Sequence, residues 1–225
     1  AVPLAEMLTQ RFGKTARVDN DVNAMAVGEC TYGAGQAYQH AVFITLGTGV
    51  GGGLLINKAL YRGAYSLAGE IGHVSIDRNG IVSPTGRGGV EQYVGNKRIV
   101  ERALQALDAG RTSRILEFAG GRREDITPKV ISAAAAAGDE LAGEIFDFVA
   151  DCLATMMASV AYLLQPQAFI IGGGIAAAGP VLFDPLRRHL NERLSPYFAE
   201  RLVIKRAELG NDAGVIGAAT LTFLE

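Results

Sequence analysis

The sequence predicts an α/β fold, on three observations. Short apolar runs, "AVFIT" at 41–45, "AFII" at 168–171 and "LVIKRAEL" at 202–209, have the length and branched side chains of strands. Between them lie longer segments whose apolar residues recur at helical spacing. Glycines cluster where the apolar runs end, as "GTGVGGG" and "GGG". Strands that alternate with helices build α/β layers.

Taken in order, Leu4, Leu8 and Phe12 fall on one face of a helix over 4–12, which Gly13 ends. "TARVDNDVNAMAVGE" (15–29) predicts a short strand into Val18, a polar turn, and a helix from about Val22. "AVFITLGTGVGGGLLI" (41–56) predicts two strands joined by a glycine-rich turn. The Gly-, Ser- and Pro-rich segment 77–89 reads as a loop. Helices are expected at 91–107, 113–119, 127–137 and 139–165. The last is apolar around most of its circumference, which predicts burial. Residues 168–179 read as a short buried strand, glycines and a helix, residues 202–209 as a strand, and 214–224 as a closing helix. The alanine run at 133–137 reads as a small-residue helix face.

Composition narrows the classes. The 225 residues can bury a sizeable core, and 49% hydrophobic with 20% charged residues is the profile of a soluble globular protein. A formal net charge of −2 leaves no electrostatic footprint for nucleic acid or an anionic membrane. Cys30 and Cys152 lie far apart, which argues against a disulfide framework and for a reducing cytoplasm. The N-terminal residues lack signal-peptide character. The apolar stretch 149–164 is too short to span a bilayer and carries Asp151, so it reads as core. His40 and His189 have no sequence neighbours to pair with and read as surface residues.

Four stretches could carry chemistry. "GTGVGGG" has five glycines in seven positions and Thr48, a backbone that can present N–H groups to an anion; a tight hairpin with no ligand fits as well. "IIGGGI" follows a strand and precedes a helix, a common resting place for a nucleotide, though close strand–helix packing uses the same residues. In "DNDVNA", Asp19, Asn20, Asp21 and Asn23 can cap a helix or place a carboxylate to take a proton from a hydroxyl. "AGEIGHV" sets Glu70 and His73 on one side of a helical turn, where they could bind a polyol. Glu91 could be a favourable charge at a helix start.

In this order, "VDNDVNAMAVGE", "LGTGVGGGLL", "YRGAYSLAGEIGHV", "GRGGVEQYVG", "IIGGGI" and "NDAGVIGAA" resemble the ROK family of sugar kinases and repressors, its glucokinase-like members above all. The resemblance covers essentially the whole chain. It implies the actin/hexokinase-type fold of two ribonuclease H-like lobes around a cleft. It implies Asp21 as the general base and Asn20, Glu70, His73 and Glu91 as hydrogen-bond partners of the sugar. Gly47, Thr48, Gly49 and Gly51 match the loop that meets the ATP phosphates, and Gly172, Gly173 and Gly174 the adenosine-side loop. The implied activity is ATP- and Mg²⁺-dependent phosphorylation of a hexose, glucose first, at the 6-hydroxyl. A sugar-responsive repressor and a catalytically dead sugar-binding scaffold are the alternatives. The resemblance allows a homodimer and gives this chain no nucleic-acid or membrane partner.

Two departures qualify it. Many members carry CxCGxxGC after the histidine and bind zinc there. This sequence has "SPTGRGG", with Ser83, Thr85 and Gly89 in place of the cysteines and one residue fewer, which predicts no structural zinc. The family's opening strand and DxGGT-type loop are also not in the sequence. Residues 1–26 with 212–225 are therefore expected to be a remnant of the N-terminal small lobe and 27–211 the C-terminal large lobe. The chain is expected to be a fragment with impaired activity.

Overall fold

In the computed structural model, which describes residues 2–223, the first helix is α1 (Leu4–Phe12), closed by Gly13 in the left-handed region. None of its residues is fully buried: Leu8 is half-buried, and Phe12 is 67% exposed. Residues 15–20 form no helix or strand. The expected strand into Val18 is therefore absent. Next comes α2 (Asp21–Tyr32), started by the side chain of Asn20.

The expected hairpin is β1 (Ala41–Leu46) and β2 (Val50–Ile56), paired antiparallel with Leu46 opposite Val50, and β3 (Ala59–Leu60) folds back on β2. Within the predicted loop 77–89 lies a small hairpin, β4 (Val82–Ser83) and β5 (Gly86–Arg87). The expected helix 91–107 is broken at Gly95, which is extended, into α3 (Glu91–Val94) and α4 (Asn96–Asp108). Then follow α5 (Ile115–Phe118) and α6 (Pro128–Ala136), the latter with Thr127 as cap and proline at its first position.

The longest helix is α7 (Glu140–Leu164), capped by Asp139, whose Oδ1 accepts the Ala142 N–H at 2.8 Å. Its length and a mean hydropathy of 1.5 would suffice to cross a membrane, contrary to the shorter apolar stretch read from the sequence. It is nonetheless a core helix, with Ile145, Phe146, Leu153, Met156 and Met157 buried. The chain continues through β6 (Ala168–Gly172), a 3₁₀ turn at 175–178, α8 (Pro180–Arg193), α9 (Pro196–Ala199), β7 (Val203–Arg206) and α10 (Ala213–Leu221). Leu224, assigned above to the closing helix, lies with Ala1 and Glu225 outside the described residues.

The sheet order is β3-β2-β1-β6-β7, with β1, β6 and β7 parallel. Alternation along the strands makes two cores. Val42, Ile44, Leu46, Phe169 and Ile171 point to the side covered by α7 and its neighbours. Ala41, Phe43, Ala168 and Ile170 point to the side of α2, against Ala26 and Ala34. The carboxyl ends of the parallel strands converge beside the start of α2, which is where α/β sheets hold ligands.

Candidate active site

The "DNDVNA" segment divides its work. Asp19 accepts from Arg62 (Nε–Oδ2 2.9 Å), from the Asn20 N–H and from Asn23 Nδ2, both at 2.8 Å. Burial pushes the Asp19 carboxyl up, but the bonds from Asn23 and Arg62 outweigh it and hold the group below its ordinary value. Asn20 Oδ1 caps α2, accepting the N–H groups of Val22 (2.8 Å) and Asn23 (3.2 Å). Asp21, at the first helical position, is exposed; its Oδ1 accepts the Val22 N–H, and its second oxygen has no partner among the described residues. One carboxylate is thus structural, one amide is a cap, and Asp21 is left open to a ligand.

Asp21 and Asn20 line a cleft of 320 Å³ together with Gly47, Thr48, Gly49, Gly51, Glu70 and Glu91. That volume is of small-molecule size. A larger recess of 690 Å³, beyond Asp19 and Arg62, brings together no pair of carboxylates and no glycine turn. The turn between β1 and β2 is pinned from behind: the Gly47 N–H donates to Gly49 O (3.0 Å), and the Asn96 N–H donates to Gly47 O (2.9 Å). The N–H groups of Thr48 and Gly49 have no acceptor among the described residues. Two adjacent free N–H groups beside a threonine hydroxyl suit an anion. Gly49 also admits Glu91 closely, since a Cβ there would stand 2.8 Å from Glu91 Oε2.

His73 is not in the cleft lining. It stands between the two glutamates, with Nε2 3.6 Å from Glu70 Oε2 and Nδ1 3.5 Å from Glu91 Oε1. Its Nδ1 is buried and makes no hydrogen bond. Glu70, His73 and Glu91 therefore form one array, in which the imidazole faces both carboxylates.

Of the second glycine cluster, Gly172 and Gly173 line a smaller cavity with Arg206, Ala207 and Gly210; Gly174 starts the following 3₁₀ turn. Gly173 has φ +86°, and a Cβ there would overlap the Leu46 carbonyl, so close packing alone already requires that glycine. The two cavities share Val22 and Thr45 as walls. Neither was singled out in the sequence. Thr45 could have been found by its place at the carboxyl end of a parallel strand; Arg206, at the end of β7, likewise.

The zinc expectation can be tested on the donors present. The Ser83 and Thr85 hydroxyls bond each other at 3.0 Å, Gly89 has no side chain, and both His73 nitrogens face glutamates. This set does not suit zinc. Cys30 and Cys152 are free and lie off the cleft; burial first, and then the Glu29 and Asp151 charges respectively, push both thiols up to about 12. The two remaining histidines are not the bare surface groups the sequence suggested. His40 Nδ1 accepts the Asn57 N–H, and His189 sits between Asp147 and Asp151 of α7.

The sequence profile of the ROK family matches residues 1–223. The chain belongs to the ROK family. A glucokinase of Thermotoga maritima is 36% identical over 220 residues, which cover 98% of this chain and 69% of that relative. The DNA-binding transcriptional dual regulator NagC of Escherichia coli K12 is 31% identical over 219 residues, covering 97% of this chain and 52% of the regulator. Among solved structures, a ROK family glucokinase from Streptomyces griseus, in complex with glucose and AMPPNP, aligns at a TM-score of 0.87 and 36% identity, over 97% of this chain and 72% of that one. The fold is accordingly the actin/hexokinase type common to these ROK proteins.

Proposed function

We propose that this ROK chain carries the sugar and nucleotide sites of a hexose kinase that transfers the γ-phosphoryl group of Mg²⁺-ATP to the 6-hydroxyl of glucose. The observation that carries the reading is the meeting, in one cleft, of an unpartnered Asp21 oxygen, the free N–H groups of the 48–49 turn, and the Glu70–Glu91 pair. The similarity to glucokinases supports it.

Glu70 and Glu91 would accept hydrogen bonds from sugar hydroxyls, with His73 holding the two carboxylates at their spacing, and Asn20 Nδ2 is available as a donor. Asp21 would accept the proton of the attacking hydroxyl as the new O–P bond forms and the bond from the γ-phosphorus to the bridging oxygen breaks, releasing ADP. The 48–49 turn would hold the phosphates, and magnesium enters with ATP as part of the donor substrate. Gly172 to Gly174 would line the nucleoside side. We assign residues 1–26 with 212–225 to the small lobe of the fold and 27–211 to the large lobe; the lack of burial along α1 supports this division.

The similarity to NagC favours a second reading, a sugar-responsive regulator. Hexose-dependent ADP release separates the two. Release with glucose that is absent without sugar supports the kinase. Glucose binding in calorimetry with no ADP release contradicts the kinase and leaves the regulator or a catalytically dead sugar-binding scaffold.

A further inference from the structure

We propose that Tyr93 is a positioning residue of the sugar site, the centre of a hydrogen-bonded clasp that sets His73 and Glu91 at their spacing. This rests on the hexose-site reading above. His73 and Glu91 flank the loop 74–90 at its two ends. The ends are tied by backbone, with the Val90 N–H donating to Val74 O (3.1 Å) and the Ile76 N–H to Gly88 O (2.9 Å). These backbone bonds and the β4–β5 pairing hold the loop to itself, and the side chain of Tyr93 ties it to α3. It lies on α3 two positions after Glu91, with its ring against the main core. Its hydroxyl donates to Asp77 Oδ2 (3.3 Å) and accepts the Ile81 N–H (3.1 Å). Asp77 Oδ1 accepts the Asn79 N–H (2.9 Å), and the Ile81 carbonyl accepts the Gly88 N–H (2.8 Å). One phenol thus ties α3 to the outgoing limb of the loop at two points, and the Gly88 N–H bond to Ile81 O passes that hold to the returning limb. Gly80 leaves room for it, since a Cβ there would overlap the Tyr93 hydroxyl.

The clasp consists of hydrogen bonds alone. Loss of the hydroxyl keeps the ring packed and releases residues 77–81 from α3, so Glu91 and His73 lose their mutual placement while the 48–49 turn, pinned by Asn96, does not. The test is the glucose Kd, the Kd of a non-hydrolysable ATP analogue, and amide exchange across 75–89, for wild type, Tyr93→Phe, Asp77→Ala and the double variant. Each single variant is expected to raise the glucose Kd about tenfold, with nucleotide Kd unchanged and faster exchange at Ile81 and Gly88. The double variant is expected to be no weaker than either single one, because the two groups act as a unit. Chelator treatment of wild type is expected to leave the glucose Kd, measured without nucleotide, unchanged. A wild type that binds glucose and a Tyr93→Phe chain within twofold of it overturn the clasp alone, as does loss of glucose binding on chelation. A wild type that binds no hexose overturns the hexose-site reading and the positioning role with it.

Discussion

Gly49 and Glu91 meet where the phosphate turn and the proposed sugar site share a wall. A methyl at Gly49 would stand 2.8 Å from Glu91 Oε2, inside contact distance, and the carboxylate is the softer partner. Gly49→Ala should therefore move Glu91 and raise the glucose Kd about tenfold, roughly the loss of one charge-assisted hydrogen bond. Isothermal calorimetry checks this, and an unchanged Kd would remove Glu91 from the sugar site. At this scale the sequence showed the residue types and not their division of labour. Asp19 and Asp21 look alike in "DNDVNA". Bonds from Asn23 and from Arg62, far along the chain, make the first a structural anchor, while the second stays open. The structure sets His73 against Glu70 and Glu91, because the loop 74–90 folds Glu91 back onto it.

Elements with strong local signals were legible, and those that depend on partners were not. The hairpin 41–56 and α7 follow from glycine placement and a long apolar run. The absence of a strand into Val18, the break at Gly95 and the β4–β5 hairpin depend on neighbours that spacing does not reveal. Two further predictions belong here. Asp139 caps α7 and also binds the Ser113 hydroxyl and the Arg114 N–H (2.6 Å). Burial pushes its carboxyl up, and the Arg114 and Ala142 N–H groups with Ser113 outweigh this, so its folded value lies below the ordinary 3.8. A depressed carboxyl stabilises the fold above 3.8 and loses that contribution as pH falls through the lower, folded value. Asp139→Ala should cost about 1–2 kcal/mol at neutral pH, and urea titrations should show the penalty shrinking below pH 3.8. The second concerns glycine pairs. A Cβ at Gly217 would overlap the Ala24 carbonyl, so α2 and α10 approach through their backbones, whereas Gly143 on α7 has open space. Gly217→Ala should destabilise by about 1–3 kcal/mol, and Gly143→Ala should stabilise by roughly 0.5–1 kcal/mol. Denaturant midpoints of the two variants should move in opposite directions.

At the scale of the molecule, the sheet has a core on each face and its carboxyl edge beside the first turn of α2. The α/β class was readable from the alternation of runs, and the cleft was readable only as an ordered set of motifs. Strand order brings "GTG", "EIGH" and "DND" to one edge, although no local rule says that they meet. The account stands on the carboxylate at the start of α2. Its most direct test is glucose 6-phosphate formation from ATP and glucose by wild type and by Asp21→Asn, with glucose Kd measured on both. The account predicts that the amide variant binds glucose within about threefold of wild type and forms product at least about a hundredfold more slowly, the contribution of a positioned general base. Turnover by Asp21→Asn within tenfold of wild type would contradict it.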